Sequence, residues 1–128
     1  MDALPKIGRY LFALPMAVFG LMHFMNGSMM AGMVPIPGGV IWVYVTGACL
    51  IAAAVAIIVG KHAVLACQLL ALFLLLTAFL VHLPVVMGGD QGAMGQILKD
   101  VALAGGALVL AGVFASEAVV PLPPPDPA

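Results

Sequence analysis

Hydrophobic residues fill four long segments of the chain, and polar residues are concentrated in the shorter segments between them. Each apolar segment has about 20 residues, the length that an α-helix needs to cross the hydrocarbon core of a bilayer. The pattern therefore predicts an all-α fold, an integral membrane bundle of four transmembrane helices. The predicted spans cover about residues 6–25, 39–59, 63–84 and 97–115.

These spans belong to a single predicted domain, residues 1–118, and residues 119–128 form a proline-rich C-terminal tail. Proline and glycine in the connections favour turns over continued helix. The first span follows two basic residues, as a signal peptide would, but no small-residue cleavage site comes after it. We therefore expect this span to remain in the protein.

The composition agrees with a lipid environment. Hydrophobic residues make up 65% of the chain and charged residues only 7%, whereas about a quarter of the residues are charged in a soluble domain. The lipid bilayer is therefore the first expected partner. The net charge of −1 provides no basic patch, so nucleic acid is not expected as a partner. Cys49 and Cys67 lie in apolar segments without a CxxC spacing, which is typical of small buried hydrophobes.

Basic residues predict the orientation of the bundle, because they are enriched on the cytoplasmic side. One side carries Lys6, Arg9 and Lys61. Lys99 alone lies on the other side. The N- and C-termini are therefore predicted to be cytoplasmic, and the two glycine-rich connections to face outward. Trp42 and Tyr44 then lie near the outer interface, where aromatic residues form a belt.

Small residues recur at helical spacing in two spans and predict close packing between helices. In the second span the row consists of Ala48, Ala52, Ala56 and Gly60. In the fourth span one row consists of Ala104, Ala107 and Ala111, and another of Ala102 and Gly106. We expect these rows to lie inside a tight bundle.

Both intramembrane histidines belong to stripes with a spacing of seven, which places the members of a stripe on nearly one helix face. The stripes are Arg9, Met16 and His23 in the first span, and Gln68, Leu75 and His82 in the third. Small residues flank both stripes: Ala13, Gly20, Ala71 and Ala78. We expect these faces to point into the bundle.

Polar residues of three spans reach the same depth in the predicted outer leaflet. His23 and His82 end the first and third spans, and Lys99 with Asp100 opens the fourth. Ionisable residues inside a membrane are costly, about 2.5–3.5 kcal/mol for a centred charge, and often functional. Adjacent helix residues do not face each other. We therefore expect Lys99 and Asp100 to have different partners, with only one of them pointing inward.

The candidate ligand-binding residues are His23, Asn26, Tyr44, His82 and Lys99. Arg9 and Asp100 are candidates for a structural or proton-relay role. No catalytic residue and no metal site is assigned. The alternative for each histidine is a position at the headgroup level, with hydrogen bonds to water or to a loop carbonyl.

Imidazole and ammonium groups can bind the oxygens of a quinone and transfer protons to it. A haem held by His23 and His82 and copper held by methionines are the alternatives. The methionines in question are Met22, Met25, Met29, Met30, Met33, Met87 and Met94. Methionine also fills gaps in apolar packing, so the pattern favours a quinone over haem or copper. No covalently bound cofactor is implied.

Four segments in this order resemble the DoxX family of small bacterial membrane proteins. They are GRYLFALPMAVFGLMHF, YVTGACLIAAAVAIIVGKHAVLA, LLLTAFLVHLP and LKDVALAGGALVLAG, and together they span residues 8–112. The resemblance implies a four-helix membrane bundle in the bacterial cytoplasmic membrane. It points to Arg9, His23, His82 and Lys99 without naming their ligand. It also implies a link to quinone-dependent redox chemistry, although the chain lacks paired cysteines for sulfur chemistry.

Two functions are expected on these grounds. The first is a DoxX-like membrane subunit of a quinone-linked redox system, with a quinone or small-molecule pocket in the outer leaflet. The second is a non-catalytic accessory subunit packed against a larger respiratory or photosynthetic complex. The sequence favours neither a catalytic nor a non-catalytic role. A small transporter or channel is a weaker alternative, because few polar residues could line a path.

Overall fold

The computed structural model describes residues 3–32, 37–118 and 126–127. Six α-helices and one π-helical turn account for the secondary structure of this part, which contains no strand. The helices are α1 (Ala3–Met25), α2 (Gly27–Ala31), α3 (Gly39–Val59), α4 (Ala63–Thr77), α5 (Leu83–Met87) and α6 (Ala93–Ala118), with the π-helical turn Ala78–His82 between α4 and α5. The predicted all-α fold is confirmed.

Four helices are long and apolar enough to cross a membrane: Ala3–Met25, Gly39–Val59, Ala63–Met87 and Ala93–Ala118. The third consists of α4, the π-helical turn and α5. Pro84 does not end it, because this proline lies at the start of α5, where a missing N–H is tolerated. The predicted tail lies outside the described residues except for 126–127, as does Met33 of the methionine-rich connection.

The bundle consists of two closely packed helix pairs, α1 with α3 and α4 with α6, joined through α3 and α4. The core lies where the pairs meet. It consists of Ala13, Met16, Leu50, Ala54, Ile57, Ala63, Cys67, Leu70, Ala71, Leu74, Ala104, Ala107, Ala111 and Phe114. Many of these residues are small, so the backbones approach closely and gain dispersion contacts without any hydrophobic drive from lipid.

Of the two rows predicted for the fourth span, the one along Ala104, Ala107 and Ala111 is buried, whereas Ala102 and Gly106 are exposed. The row predicted for the second span is wrong, because Ala48 and Ala52 are exposed. The buried face of α3 instead carries Val43, Gly47, Leu50, Ala54 and Ile57. Three of these five residues have larger side chains. For this reason, the repeat of small residues in the sequence did not identify the buried face of α3.

The stripe predicted for the first span points inward, since Ala13, Met16 and Gly20 are buried. The third-span stripe is only partly right. Ala71 and Ala78 are buried, but Gln68 is exposed. Gln68 lies in α4, whose buried face carries Cys67, Leu70, Ala71 and Leu74. Only the step from Leu75 to His82 crosses the π-helical turn, which shifts the helix face by about one residue.

A glycine pair brings the backbones of α1 and α3 into close contact. A Cβ added at Gly20 would lie 2.7 Å from the Gly47 carbonyl oxygen, and one added at Gly47 would lie 2.8 Å from that of Gly20. Neither position has room for a methyl group, because the neighbouring atom is backbone and cannot rotate away. The α1–α3 pair therefore depends on glycine at both positions.

Replacing Gly20 or Gly47 with alanine is expected to destabilise the protein by about 1–3 kcal/mol, because the helices must move apart. Thermal unfolding in detergent, followed by circular dichroism, measures the effect. Gly105→Ala is the matched control, since a Cβ at this position of α6 meets nothing within 4 Å. An equal loss in the control and the test variants would contradict the glycine contact.

Candidate functional site

An acidic residue buried in the bundle organises the polar groups at the predicted outer end. Asp100 of α6 is only 3% exposed. Its Oδ2 lies 3.4 Å from His82 Nε2, and its Oδ1 lies 3.3 Å from Lys99 Nζ. A carboxylate, an ammonium and an imidazole thus form one cluster, termed the outer cluster, that joins the third and fourth spans.

Helical periodicity explains why Asp100 is buried. It shares a face of α6 with Ile97, Ala104 and Ala107, all of them buried, at the spacing of three and four residues that defines an inward stripe. Lys99 is one position away and 41% exposed at its side chain. Of the two neighbours, only Asp100 points inward.

The prediction that Lys99 and Asp100 have different partners is wrong, because they contact each other. The lysine side chain is long enough to bend back toward the carboxylate of the next residue. Two short side chains at adjacent helix positions could not reach each other in this way. Its ammonium also lies 5.0 Å from the ring centroid of Phe19 on α1, within the range of a cation–π interaction.

The π-helical turn positions His82. A π-helical turn inserts about one extra residue into the helix and rotates the residues after it, and such turns are frequent at functional sites. His82 is the last residue of the turn, and the turn packs against α6. The local change of helix type thus places the imidazole opposite Asp100.

His23 is connected to the outer cluster through Phe19. The Nδ1 of His23 lies 2.6 Å from the backbone oxygen of Phe19, and the Phe19 ring lies against the Lys99 ammonium. A series of contacts therefore runs from His23 through Phe19, Lys99 and Asp100 to His82. It joins α1, α6 and the third span. Within the described residues, no hydrogen bond or ion pair joins the two imidazoles directly.

Asn26 and Tyr44 lie at the edge of the α1–α3 pair. Tyr44 stacks on Phe24, with 5.6 Å between ring centroids and 10° between planes. The side-chain amide of Asn26 donates a hydrogen bond to the Met22 carbonyl, at 3.1 Å. Among the residues with described structure, no hydrogen bond or ion pair connects these two side chains to Asp100. Asn26 lies three residues after His23, and Phe24, the stacking partner of Tyr44, directly follows His23.

Arg9 lies at the opposite end of the bundle, where it forms an ion pair with Glu117 near the C-terminal end of α6. Its guanidinium also lies 4.5 Å from the centroid of the Phe114 ring. These contacts join the first and last spans and favour a structural role for Arg9. Sequence reasoning missed Glu117, although the first and fourth helices of an up-down bundle are antiparallel and bring these positions together.

One polar atom of the outer cluster has no hydrogen-bond partner within the described chain. This atom is the buried Oδ2 of Asp100, whose contact with His82 is longer than a normal hydrogen bond. Three or more His, Cys, Asp or Glu side chains do not come together as a metal site in residues 3–32, 37–118 or 126–127. The imidazole, ammonium and carboxylate groups of the cluster can form hydrogen bonds and exchange protons.

No protein-family model, no curated protein and no solved structure matches this chain. The helix bundle and the outer cluster are therefore the observations that bear on its function.

Replacing His82 with leucine is expected to destabilise the protein by about 1–3 kcal/mol, because the buried Asp100 loses one of its two polar neighbours. Replacing both His82 and Asp100 with leucine is expected to restore at least half of that loss, since an apolar pair leaves no buried charge unpaired. Unfolding free energies in mixed detergent measure both variants. If the effects of the two substitutions simply added, so that the double variant was less stable than His82→Leu, this would contradict the contact between His82 and Asp100.

Proposed function

We propose that the protein is a DoxX-like membrane subunit of a quinone-linked redox system and that it holds a quinone headgroup at the outer cluster. The observation that carries the proposal is the buried Asp100 beside His82 and Lys99 at one end of a transmembrane bundle. Ionisable groups persist at such positions mainly where they serve a function. Imidazole and ammonium groups can hydrogen-bond quinone oxygens and exchange protons with them.

An apolar groove of about 420 Å³ on α1 supports this proposal. It is lined by Tyr10, Leu11, Leu14, Pro15, Val18 and Phe19. Phe19 lines the groove, and its ring also contacts Lys99, so the groove adjoins the outer cluster at this residue. A polar headgroup with an apolar chain attached, as in membrane quinones, matches this combination of polar cluster and groove.

The proposed orientation places the outer cluster on the side away from the cytoplasm, with both termini cytoplasmic, in the bacterial inner membrane. The distribution of Lys6, Arg9, Lys61 and Lys99 supports this orientation. The ligand would reach the cluster from within the bilayer.

His82→Leu is expected to lower quinone affinity by at least about tenfold, the equivalent of one lost hydrogen bond to a partly buried group. Binding of a decyl-chain benzoquinone to the purified protein in nanodiscs measures the change. His62→Leu is the matched control, because His62 is exposed and lies in the turn before α4, at the other end of the bundle. The His82→Leu/Asp100→Leu variant separates lost binding from lost stability.

Unchanged quinone affinity in both His82 variants would remove the outer cluster as the site. Equal losses in the His62 control would point to a general effect on the bundle.

A second candidate function is a non-catalytic accessory subunit of a larger respiratory or photosynthetic membrane complex. The observation that favours it is the outward face of α6, where Ala102, Gly105 and Gly112 are exposed at helical spacing. A Cβ at either glycine would meet nothing within 4 Å. Small residues on an exposed helix face let another helix approach closely.

Gly105→Leu with Gly112→Leu is expected to abolish co-migration with a larger complex in native electrophoresis after mild detergent extraction, because the bulky side chains keep a partner helix at a distance. Gly8→Leu is the matched control, since Gly8 also faces open space but lies on α1. Migration of the unmodified protein by itself would contradict the accessory function.

A further inference from the structure

A second cavity lies at the end of the bundle opposite the outer cluster, between the turn that joins α3 to α4 and the C-terminal end of α6. Its volume is about 390 Å³, within the range of about 300–1,000 Å³ for small-molecule sites. Glu117, which lines it, follows Asp100 by 17 residues on α6, about 25 Å along the helix axis. The cavity is therefore separate from the proposed quinone site.

The cavity has an apolar base and a polar rim. Phe114 and Ala63 form the base and are only 7% and 4% exposed. His62 and Glu117 also line the cavity, and both are exposed. The apolar segment of α6 ends at about residue 115, so the rim lies at the level where lipid headgroups begin. A ligand that matches this arrangement is apolar toward the bilayer and polar toward water, as a phospholipid is.

Glu117 has one carboxylate oxygen available to a ligand. The Arg9 guanidinium donates its hydrogen bond to Oε1, and no described residue donates one to Oε2. Arg9 is not among the residues that line the cavity, so it holds the carboxylate from a neighbouring position. An ammonium group in the cavity could give Oε2 a charge-assisted hydrogen bond.

The turn between α3 and α4 adds a hydrogen-bond donor to the same rim. Gly60 and His62 have φ values of 80° and 55°, in the left-handed region, so the chain passes from α3 to α4 in three residues. The imidazole of His62 carries at least one N–H donor in every protonation state. Such a donor suits a phosphate oxygen, and the exposed Lys61 in this turn adds positive charge beside it.

We propose that this cavity binds the headgroup of an ethanolamine phospholipid, with its primary ammonium at Glu117 and its phosphate at His62. A headgroup with only negative charge would be repelled by the carboxylate in the lining. A choline headgroup has no N–H to donate to Oε2 and is recognised chiefly by aromatic faces. The Phe114 ring is mostly buried and already has the Arg9 guanidinium 4.5 Å from its centroid.

The test is native mass spectrometry of the full chain in mild detergent, with equal amounts of phosphatidylethanolamine, phosphatidylcholine and phosphatidylglycerol that have the same acyl chains. We expect the ethanolamine lipid to be retained about three- to fivefold over each of the others, as one ion pair between exposed groups allows. Equal retention, or a preference for either of the other two, would overturn the inference. The proposed quinone site would not be affected by that result.

Two variants separate ligand binding from the ion pair within the protein. Glu117→Gln removes the carboxylate, so the preference over phosphatidylcholine is expected to fall to about one. Arg9→Gln breaks the same ion pair but leaves the carboxylate, so the preference should persist or rise. Equal losses in both variants would show a structural effect and contradict the site. Asp90→Asn is the control with unchanged preference, since Asp90 lies in the connection before α6, at the other end of this helix.

The unmodified protein gives a test that does not depend on how the variants fold. Stepwise N-methylation of phosphatidylethanolamine removes its N–H donors one at a time without changing the charge. Retention is expected to fall along this series and to be lowest for the trimethyl lipid. Retention that does not depend on the number of N–H groups would overturn the inference. Displacement of the lipid by an equal amount of glycerophosphoethanolamine, which has no acyl chains, would overturn the assignment to a lipid.

Discussion

A carboxylate in the apolar part of a membrane protein must have its charge compensated nearby, and this constraint shapes one half of the bundle. Asp100 is buried on the inward stripe of α6. Lys99 bends back to it, and the π-helical turn places His82 opposite it. The ammonium in turn lies on Phe19 of the first span. The charge of Asp100 therefore links the first, third and fourth spans through these contacts. An alanine at this position would have no charge to compensate.

At the end of the bundle opposite the outer cluster, another charged residue is also compensated, but by different contacts. Arg9 is shared between Glu117 and the face of Phe114, so its charge is met partly by a carboxylate and partly by an aromatic ring. Glu117 is about half exposed at its side chain, and such pairs contribute little to stability. Arg9 and Glu117 thus mark where the first and last spans meet, while the close packing of small residues holds the helices together.

Hydropathy was sufficient to predict four spans, because length and apolar composition alone decide whether a helix fits a bilayer. The inward face of α6 was also predictable, since its alanines repeat at helical spacing. The inward face of α3 was not, because lipid and core are equally apolar and its exposed alanines mimic a packing row. At the site, the order of the spans was enough to predict that His23, His82, Lys99 and Asp100 lie toward the same end of the bundle. Their pairing was not, because it depends on a π-helical turn and on a lysine that reaches its own neighbour.

The pairing of Lys99 with Asp100 has a consequence for how the protein is made. Successive spans emerge from the ribosome one after another, and α6 is the last of the four. Its two opposite charges lie on the same helix and 3.3 Å apart, so they cancel before any other span is in contact. The translocation machinery therefore handles a nearly neutral dipole instead of two separate ions. We therefore expect the last helix to enter lipid by itself and to meet His82 afterwards.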